Sequence, residues 1–364
     1  MSLPAYTPFS LPLDEHLVNC DLFFDELVNA TVTLRLYEET LKNSKLDRNL
    51  LIPTLKFKEA VASSLIEGTM ITIDGVLSNL ADPQETNNTS LFEVLNYCDA
   101  IEFGAAYLKN NTFSNEFFWQ VHQVLMKGEK NAHLCAGEYR SVQNYVGTGT
   151  GSNIITKYVP PTPDVVPSFM NNLINYINRP KDNLRTIVQT AIIHAQFETI
   201  HPFNDGNGRV GRILIPLYLY YTHQIGSPFF FISDALEKDR HQYYELLNNT
   251  RTNNDWNSWI RFFLNAVTQQ GERNIRIISE INSLYEYQCS EVLKRIRSTK
   301  VIQILNAFYK NPVSTVKQVV DNTGLSMPTV NRLLNEMVKA GFLKTNDKAR
   351  YRLFTLNDVL NIIR

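Results

Sequence analysis

The sequence predicts a mainly α-helical protein with one β-hairpin flap and a C-terminal winged-helix module of α+β character. Three observations predict it. Helical spacing of apolar residues recurs in segment after segment up to about residue 298. One stretch, residues 137–161, breaks that texture with alternation and Gly, Thr and Tyr. Beyond residue 299 the pattern becomes helix, Gly turn, helix, strand, strand.

A chain of 364 residues has room for roughly two or three domains. The texture divides it into 1–90, 91–298 and 299–364. With 44% hydrophobic and 20% charged residues it can bury sizeable cores, which excludes a disordered chain. Cys20, Cys98, Cys135 and Cys289 lie far apart with no CxxC, which argues against a disulfide framework or structural zinc and suits a reducing compartment. The opening MSLPAYTPFSLPLDEH has no basic segment followed by an apolar one, and no run is long and apolar enough to span a bilayer. The expectation is a cytoplasmic protein with no membrane partner. The net charge of −1 hides an asymmetry: residues 301–364 balance at +5 and the remainder at −6. A basic module on an acidic body leaves DNA open as a partner through residues 316–352, with a solvated basic face as the plainer reading.

In chain order, a proline-punctuated leader precedes a helical pattern that runs to about residue 45. LKFKEAVASSLIEGT (55–69) reads as one helix with Leu55, Ala62, Leu65 and Ile66 near one face, interrupted by Lys58 and Glu59 and stopped at Gly68. Residues 81–90 read as a polar loop, and 91–108 and 115–128 as helices. Residues 137–161 read as strand, flexible tip and strand, closed by Pro160 and Pro161. The tip GTGTGS (147–152) mimics a nucleotide loop but has no helix after it. Residues 163–180 and 184–200 are helical, the latter strongly apolar and central, and 212–224 is apolar nearly all round, hence a buried helix. Two or three more helices follow. In the C-terminal module a helix over 316–322 ends at Gly324. A second is capped by Ser326 with Pro328 in its first turn, and its inner stripe is Val330, Leu333, Leu334, Met337 and Val338. Gly341 closes it, and two strands then flank a basic tip.

The chemistry concentrates in HPFNDGNGRVGR, residues 201–212. The helix carrying Arg212 should start near Asn207, where unpaired N–H groups and about half a positive charge gather. Placing Arg209 and Arg212 there costs roughly a few tenths of a kcal/mol each unless an anion sits nearby. Gly206 and Gly208 admit such an anion to the backbone, and two guanidinium forks can grip phosphate oxygens. Asp205 among phosphates calls for a cation, and Mg²⁺ bridging a carboxylate and substrate phosphates is the usual solution. His201 at the loop edge could take a proton from an incoming hydroxyl. Together these describe a phosphoryl- or nucleotidyl-transfer site. Asp205-x-Asn207 also begins a calcium loop, but Arg209 stands where a third ligand belongs, and neither HExxH nor GxxxxGK[ST] occurs.

The stretch matches at every fixed position the Fic signature His-Pro-Phe-x-(Asp/Glu)-Gly-Asn-Gly-Arg-x-x-Arg, so the chain resembles the Fic family. Gly137-Glu138-Tyr139-Arg140 and Val159-Pro160-Pro161 resemble the segments bracketing the Fic flap, and the leader and winged helix resemble a common Fic arrangement. The resemblance implies protein adenylylation, the transfer of AMP from ATP to a hydroxyl. His201 would be the general base acting on a Tyr, Thr or Ser hydroxyl of a target protein, and Asp205 would hold Mg²⁺. ATP would be bound along Asp205, Gly206, Asn207, Gly208, Arg209, Val210, Gly211 and Arg212. In that span Asn207 and the glycine backbone form the anion hole, and Arg212 lies nearest the γ-phosphate. Tyr243 and Tyr244 resemble a pair lining the adenosine pocket. Ser63-Ser64-Leu65-Ile66-Glu67-Gly68 fits the inhibitory pattern (Ser/Thr)-x-x-x-Glu-(Gly/Asn), with Ser63 and Glu67 four apart on one helix face. A Glu67 carboxylate on Arg212 would take the place of the γ-phosphate. The flap would dock a target segment by strand addition.

Two rivals stand beside this reading. One is a Fic transferase that moves another group or removes AMP. The other is a DNA-binding regulator in which Asn331, Arg332 and Asn335 meet DNA. The sequence leaves the target open, together with self-modification and a homodimer.

Overall fold

The computed structural model describes residues 4–82, 89–128, 135–148, 155–179, 186–346 and 352–364, and it is mainly helical with two small antiparallel sheets. Its helices are α1 (Phe24–Lys42), α2 (Arg48–Ile66), α3 (Ile73–Ala81), α4 (Thr89–Leu108), α5 (Asn115–Leu125), α6 (Val166–Asn178), α7 (Thr186–Ile200) and α8 (Asn207–Tyr221). They continue as α9 (Ser233–Lys238), α10 (Arg240–Thr252), α11 (Trp256–Arg295), α12 (Val301–Lys310), α13 (Val316–Thr323), α14 (Met327–Lys339) and α15 (Asn357–Ile363). The strands are β1 (Val146–Thr148), β2 (Ile155–Tyr158), β3 (Val313–Thr315), β4 (Lys344–Thr345) and β5 (Leu353–Thr355). Part of the polar loop of 81–90, most of the GTGTGS tip and the wing tip at 347–351 lie outside the described residues.

By their contacts the residues form two compact units. The first comprises Met1–Arg35 and Leu95–Gly271. At its centre α7 is buried at all fifteen positions, so it has no polar face to show an amphipathic period. Its longest contact is with α8, whose apolar circumference is buried in turn. A Cβ at Gly104 of α4 would stand 2.4 Å from Leu217 Cδ1, so that glycine lets α4 close onto α8. The leader is tied down by hydrogen bonds. Leu11 and Asn172 exchange two, at 2.8 and 2.9 Å, and the Gln196 amide donates to the Phe9 carbonyl at 2.6 Å. Strands β1 and β2 form the antiparallel flap. Its base is pinned where the Tyr158 hydroxyl donates to the Thr199 carbonyl at 2.6 Å and Arg251 covers the Tyr158 ring at 4.0 Å.

The second unit comprises Leu36–Val94 and Glu272–Arg364. Helix α2 starts seven residues before the expected Leu55, because Asp47 caps it and Pro53 is accommodated inside it. Leu55, Ala62 and Ile66 are buried, while Leu65 is half-buried. Glu59, expected to interrupt the stripe, is also buried. Gly68, at φ +93°, stops the helix. Helix α2 packs on α12, and Lys58 donates to the Ile363 carbonyl at 2.7 Å. The C-terminal module is a helix-turn-helix with a three-stranded sheet in the order β3-β5-β4. Three-residue β3 is too short for alternation to show in the sequence. A Thr315–Gln318 capping box starts α13, and Gly324 at φ +68° ends it. Val330, Leu333, Leu334 and Met337 are buried and Val338 is half-buried. Ser326 occupies the N-cap of α14, but its hydroxyl bonds the Thr329 hydroxyl at 2.9 Å and caps no backbone N–H. Among the described residues no helix is long and apolar enough to cross a membrane.

Candidate active site

Helix α7 ends at Ile200 and α8 begins at Asn207, so the six residues between them must turn the chain back on itself. His201 takes the first step of that turn at φ +50°, a left-handed backbone that costs a side-chain-bearing residue about 1–3 kcal/mol. Its Nδ1 lies 3.3 Å from the Glu198 carbonyl. A carbonyl can only accept, so Nδ1 carries the proton in this contact. Gly206 is the N-cap of α8 at φ +75°, and a Cβ there would meet Met126 Sδ at 2.8 Å. The first bond inside α8 runs from Val210 N–H to the Gly206 carbonyl at 3.0 Å. The N–H groups of Asn207, Gly208 and Arg209 therefore precede the helical ladder and face the loop.

The side chains of the motif divide into scaffold and cradle. Asn207 is buried and exchanges two 2.8 Å bonds with the backbone of Phe203, so its amide closes the loop and its N–H belongs to the cradle. Arg209 is buried as well. Its Nη2 lies 3.7 Å from Met126 Sδ and 3.8 Å from an Asp205 oxygen, while Nε and Nη1 make no hydrogen bond among the described residues. A buried guanidinium with unused donors is costly and invites an anion. Arg212 is fully buried and stands in the second turn of α8, so only Arg209 lies in the first turn, where both were expected. Val210 is buried, and Gly211 lets the Glu198 carboxylate approach: a Cβ would be 2.3 Å from Glu198 Oε1. Asp205 is exposed, with one oxygen accepting the Gly206 N–H at 2.7 Å.

Three side chains that the motif did not signal hold this loop. Arg140, buried beside the flap, donates from Nε to the His201 carbonyl at 2.9 Å and from its other nitrogens to the carbonyls of Pro161 and Val142. Its own N–H bonds the Pro202 carbonyl at 2.9 Å, and burial lowers its pKa to about 10. Asn144 donates to the Phe203 carbonyl at 3.1 Å. His122, on the inner face of α5, accepts the Gly137 N–H at Nδ1 and donates from Nε2 to the Asp205 carbonyl, both at 3.0 Å. Its ring stacks on Phe203 with centroids 3.8 Å apart. A lone histidine among Phe118, Val121 and Leu125 was the available sequence signal, since a buried ring must find two partners.

Tyr243 and Tyr244 separate. Tyr243 is buried, with His194 Nε2 accepting from its hydroxyl at 2.9 Å, whereas Tyr244 is exposed with Arg240 over its ring at 5.8 Å. The other nitrogen of His194 donates to the Gly211 carbonyl at 2.9 Å. Ser63 is buried in α2, and Glu67 lies one residue past the helix end as its C-cap, exposed and still αR.

Burial holds His122 neutral, with a pKa lowered to about 4, the Asp205 carbonyl partly offsetting and the Arg209 charge adding to the effect. Burial likewise lowers His194 to about 3, with Arg212 adding to it. Between 6.5 and these values the unfolded chain binds protons that the native fold refuses. Stability is therefore full above the unfolded value and is lost as pH falls through the window, by about 3 kcal/mol for His122. Urea unfolding at neutral and mildly acid pH should show the midpoint falling in acid, and falling less in His122→Gln. Equal acid losses in the two proteins would contradict the assignment.

Residues 112–219 match the Fic/DOC family, residues 24–106 match the Fic/DOC family N-terminal region, and residues 299–347 match the IclR helix-turn-helix domain. A probable protein adenylyltransferase of Aquifex aeolicus is 28% identical over 43% of this chain and 46% of its own length. The protein adenylyltransferase Fic of Nematostella vectensis is 28% identical over 63% of this chain and 50% of its own. The chain thus spans about half the length of the curated relatives it matches. In fold it is similar to the crystal structure of a Fic family protein from Desulfovibrio desulfuricans, with a TM-score of 0.55 at 20% identity over 91% of this chain and 95% of that one. With two adjoining matches, a shared fold and the complete 201–212 signature, the chain belongs to the Fic/DOC family.

Proposed function

We propose that this protein is a protein adenylyltransferase that transfers AMP from ATP to a Tyr, Thr or Ser hydroxyl of a target protein. The observation that carries the reading is the buried Arg209 guanidinium, with unused donors beside the open N–H groups of α8. The triphosphate tail lies on those N–H groups, gripped by Arg209 and Arg212. The Nε2 lone pair of His201 takes the proton of the attacking hydroxyl. The hydroxyl oxygen bonds the α-phosphorus as the bond to the β-phosphate bridge breaks, and diphosphate leaves. Asp205 fits a magnesium ion delivered with the nucleotide, because its carboxylate is exposed beside the cradle. Among the described residues no group of three or more acidic, His or Cys side chains could hold a metal by protein ligands alone. When bound, that ion neutralises phosphate charge.

In this reading residues 1–90 carry the inhibitory segment, 91–298 the transfer core and 299–364 the winged helix, and the protein works in the cytoplasm. Glu67 and Ser63 are the inhibitory residues of that segment, with the Glu67 carboxylate restraining transfer. Glu67→Gly should raise the rate at least tenfold, on the order of what losing one charge-assisted bond is worth. An unchanged rate would sink the inhibitory role. The transfer itself is tested by parallel incubations with α- and γ-labelled ATP and Mg²⁺. Protein retaining the α label but not the γ label supports AMP transfer, and retention of the γ label would make the enzyme a kinase. A DNA role for the winged helix has less support. Asn331, Arg332 and Asn335 are all exposed, but Arg332 is paired with Glu336 at 2.7 Å and the Asn335 side-chain carbonyl accepts from Arg352 at 2.9 Å. A steep salt dependence of duplex binding would favour that role.

A further inference from the structure

Helix α1 carries an apolar ridge on its outer side. Phe24, Val28 and Val32, with Leu36 one turn further along, are 59%, 43%, 51% and 54% exposed. Leu22, just before the helix, is exposed too. The opposite side is conventional core, with Phe23, Ala30, Leu34, Tyr37 and Leu41 buried. The ridge is thus an addition to a helix that already has a buried face. Four apolar side chains in strict i, i+4 register form one continuous row. Exposed rows of this kind mark interaction surfaces more often than ordinary solvent-facing helix.

The occupant can be read from symmetry and charge. About the midpoint of the ridge, at Ala30, the sequence is self-complementary when reversed: Phe24 answers Leu36, Val28 answers Val32, and Asp25 answers Arg35. Asp25 and Arg35 are both exposed, and neither has an ion pair among the described residues. Two copies of α1 laid antiparallel would bring Asp25 of each to the level of Arg35 of the other. The i±4 ridges would interdigitate in the commonest packing mode, with Val28 and Val32 at the crossing point. A two-fold interface requires a patch that complements itself, which this row does and a patch for an unrelated partner need not. We propose that α1 is a homodimerisation helix, joining two copies antiparallel through Phe24, Val28, Val32 and Leu36, with Asp25–Arg35 pairs setting the direction. This does not depend on the proposed transfer activity.

Analytical ultracentrifugation of the full chain across a concentration series tests it. Wild type should sediment as a dimer, and Val28→Glu/Val32→Glu as a monomer with an unchanged circular dichroism spectrum. Asp25→Arg alone and Arg35→Asp alone should each weaken the dimer at least about tenfold through like-charge contacts. An equimolar mixture of these two variants should recover it as a heterodimer, because each then meets opposite charge. A wild-type monomer at every concentration would overturn the proposal. So would a dimer indifferent to Val28→Glu/Val32→Glu, or two charge variants that fail to recover one another. Binding of wild type to neutral phospholipid vesicles, lost in the Glu variants and without self-association, would assign the ridge to a membrane surface and overturn it as well.

Discussion

His201→Ala is expected to lower AMP transfer by about 10²–10⁴-fold, the range spanned by removal of a positioned general base. The Nδ1–H of His201 points at the Glu198 carbonyl, and among the described residues neither His122 nor His194 offers a spare ring nitrogen in its place. His122 has both nitrogens engaged, and so does His194. The substitution leaves the backbone carbonyl of residue 201 in place for Arg140, so the loop keeps its anchor. An alanine at φ +50° is no more strained than the histidine it replaces. Nucleotide affinity and melting temperature should therefore stay near their starting values while the transfer rate collapses. A rate that falls only in step with melting temperature would make His201 a structural residue.

Gly211→Ala should do the opposite and damage the frame. The added methyl would stand 2.3 Å from Glu198 Oε1 and 3.3 Å from His194 Cε1, in a core where α7 and α8 have their most extensive contact. Relief requires moving a buried carboxylate or separating the two helices. Overpacking of this kind costs about 1–3 kcal/mol and can exceed it at so short a contact. Glu198 is three residues before His201, so the displacement reaches the 201–206 loop as well. Denaturant unfolding should show a lower midpoint with an unchanged slope, accompanied by reduced transfer. A variant with wild-type stability would mean that α7 and α8 can part more easily than their burial implies.

The cradle was legible because its chemistry is local. Gly206 at positive φ and the helix start at Asn207 follow from consecutive residues in one stretch, whereas the burial of Arg209 and Arg212 depends on what packs around them. The supports were not legible, because they come from elsewhere in the chain. Arg140 reaches the His201 carbonyl across 61 residues and His122 reaches Asp205 across 83, and no periodicity announces such a bond. Tyr243 and Tyr244 show the same limit. Adjacent residues on a helix point about 100° apart, so one entered the core and the other faces outward. The start of α2 was hidden by Pro53, a residue that more often ends a helix than lies within one. Strand β3 was hidden by its length and by depending on β5, which lies 38 residues further on.

The most direct test of the central claim is covalent label from α-labelled ATP with Mg²⁺, on the protein itself and on a lysate, in Glu67→Gly and in Glu67→Gly/His201→Ala. Label on a hydroxyl side chain is expected with the first protein and none with the second, both binding ATP. Label of equal intensity with both, or with neither while ATP still binds, would contradict it.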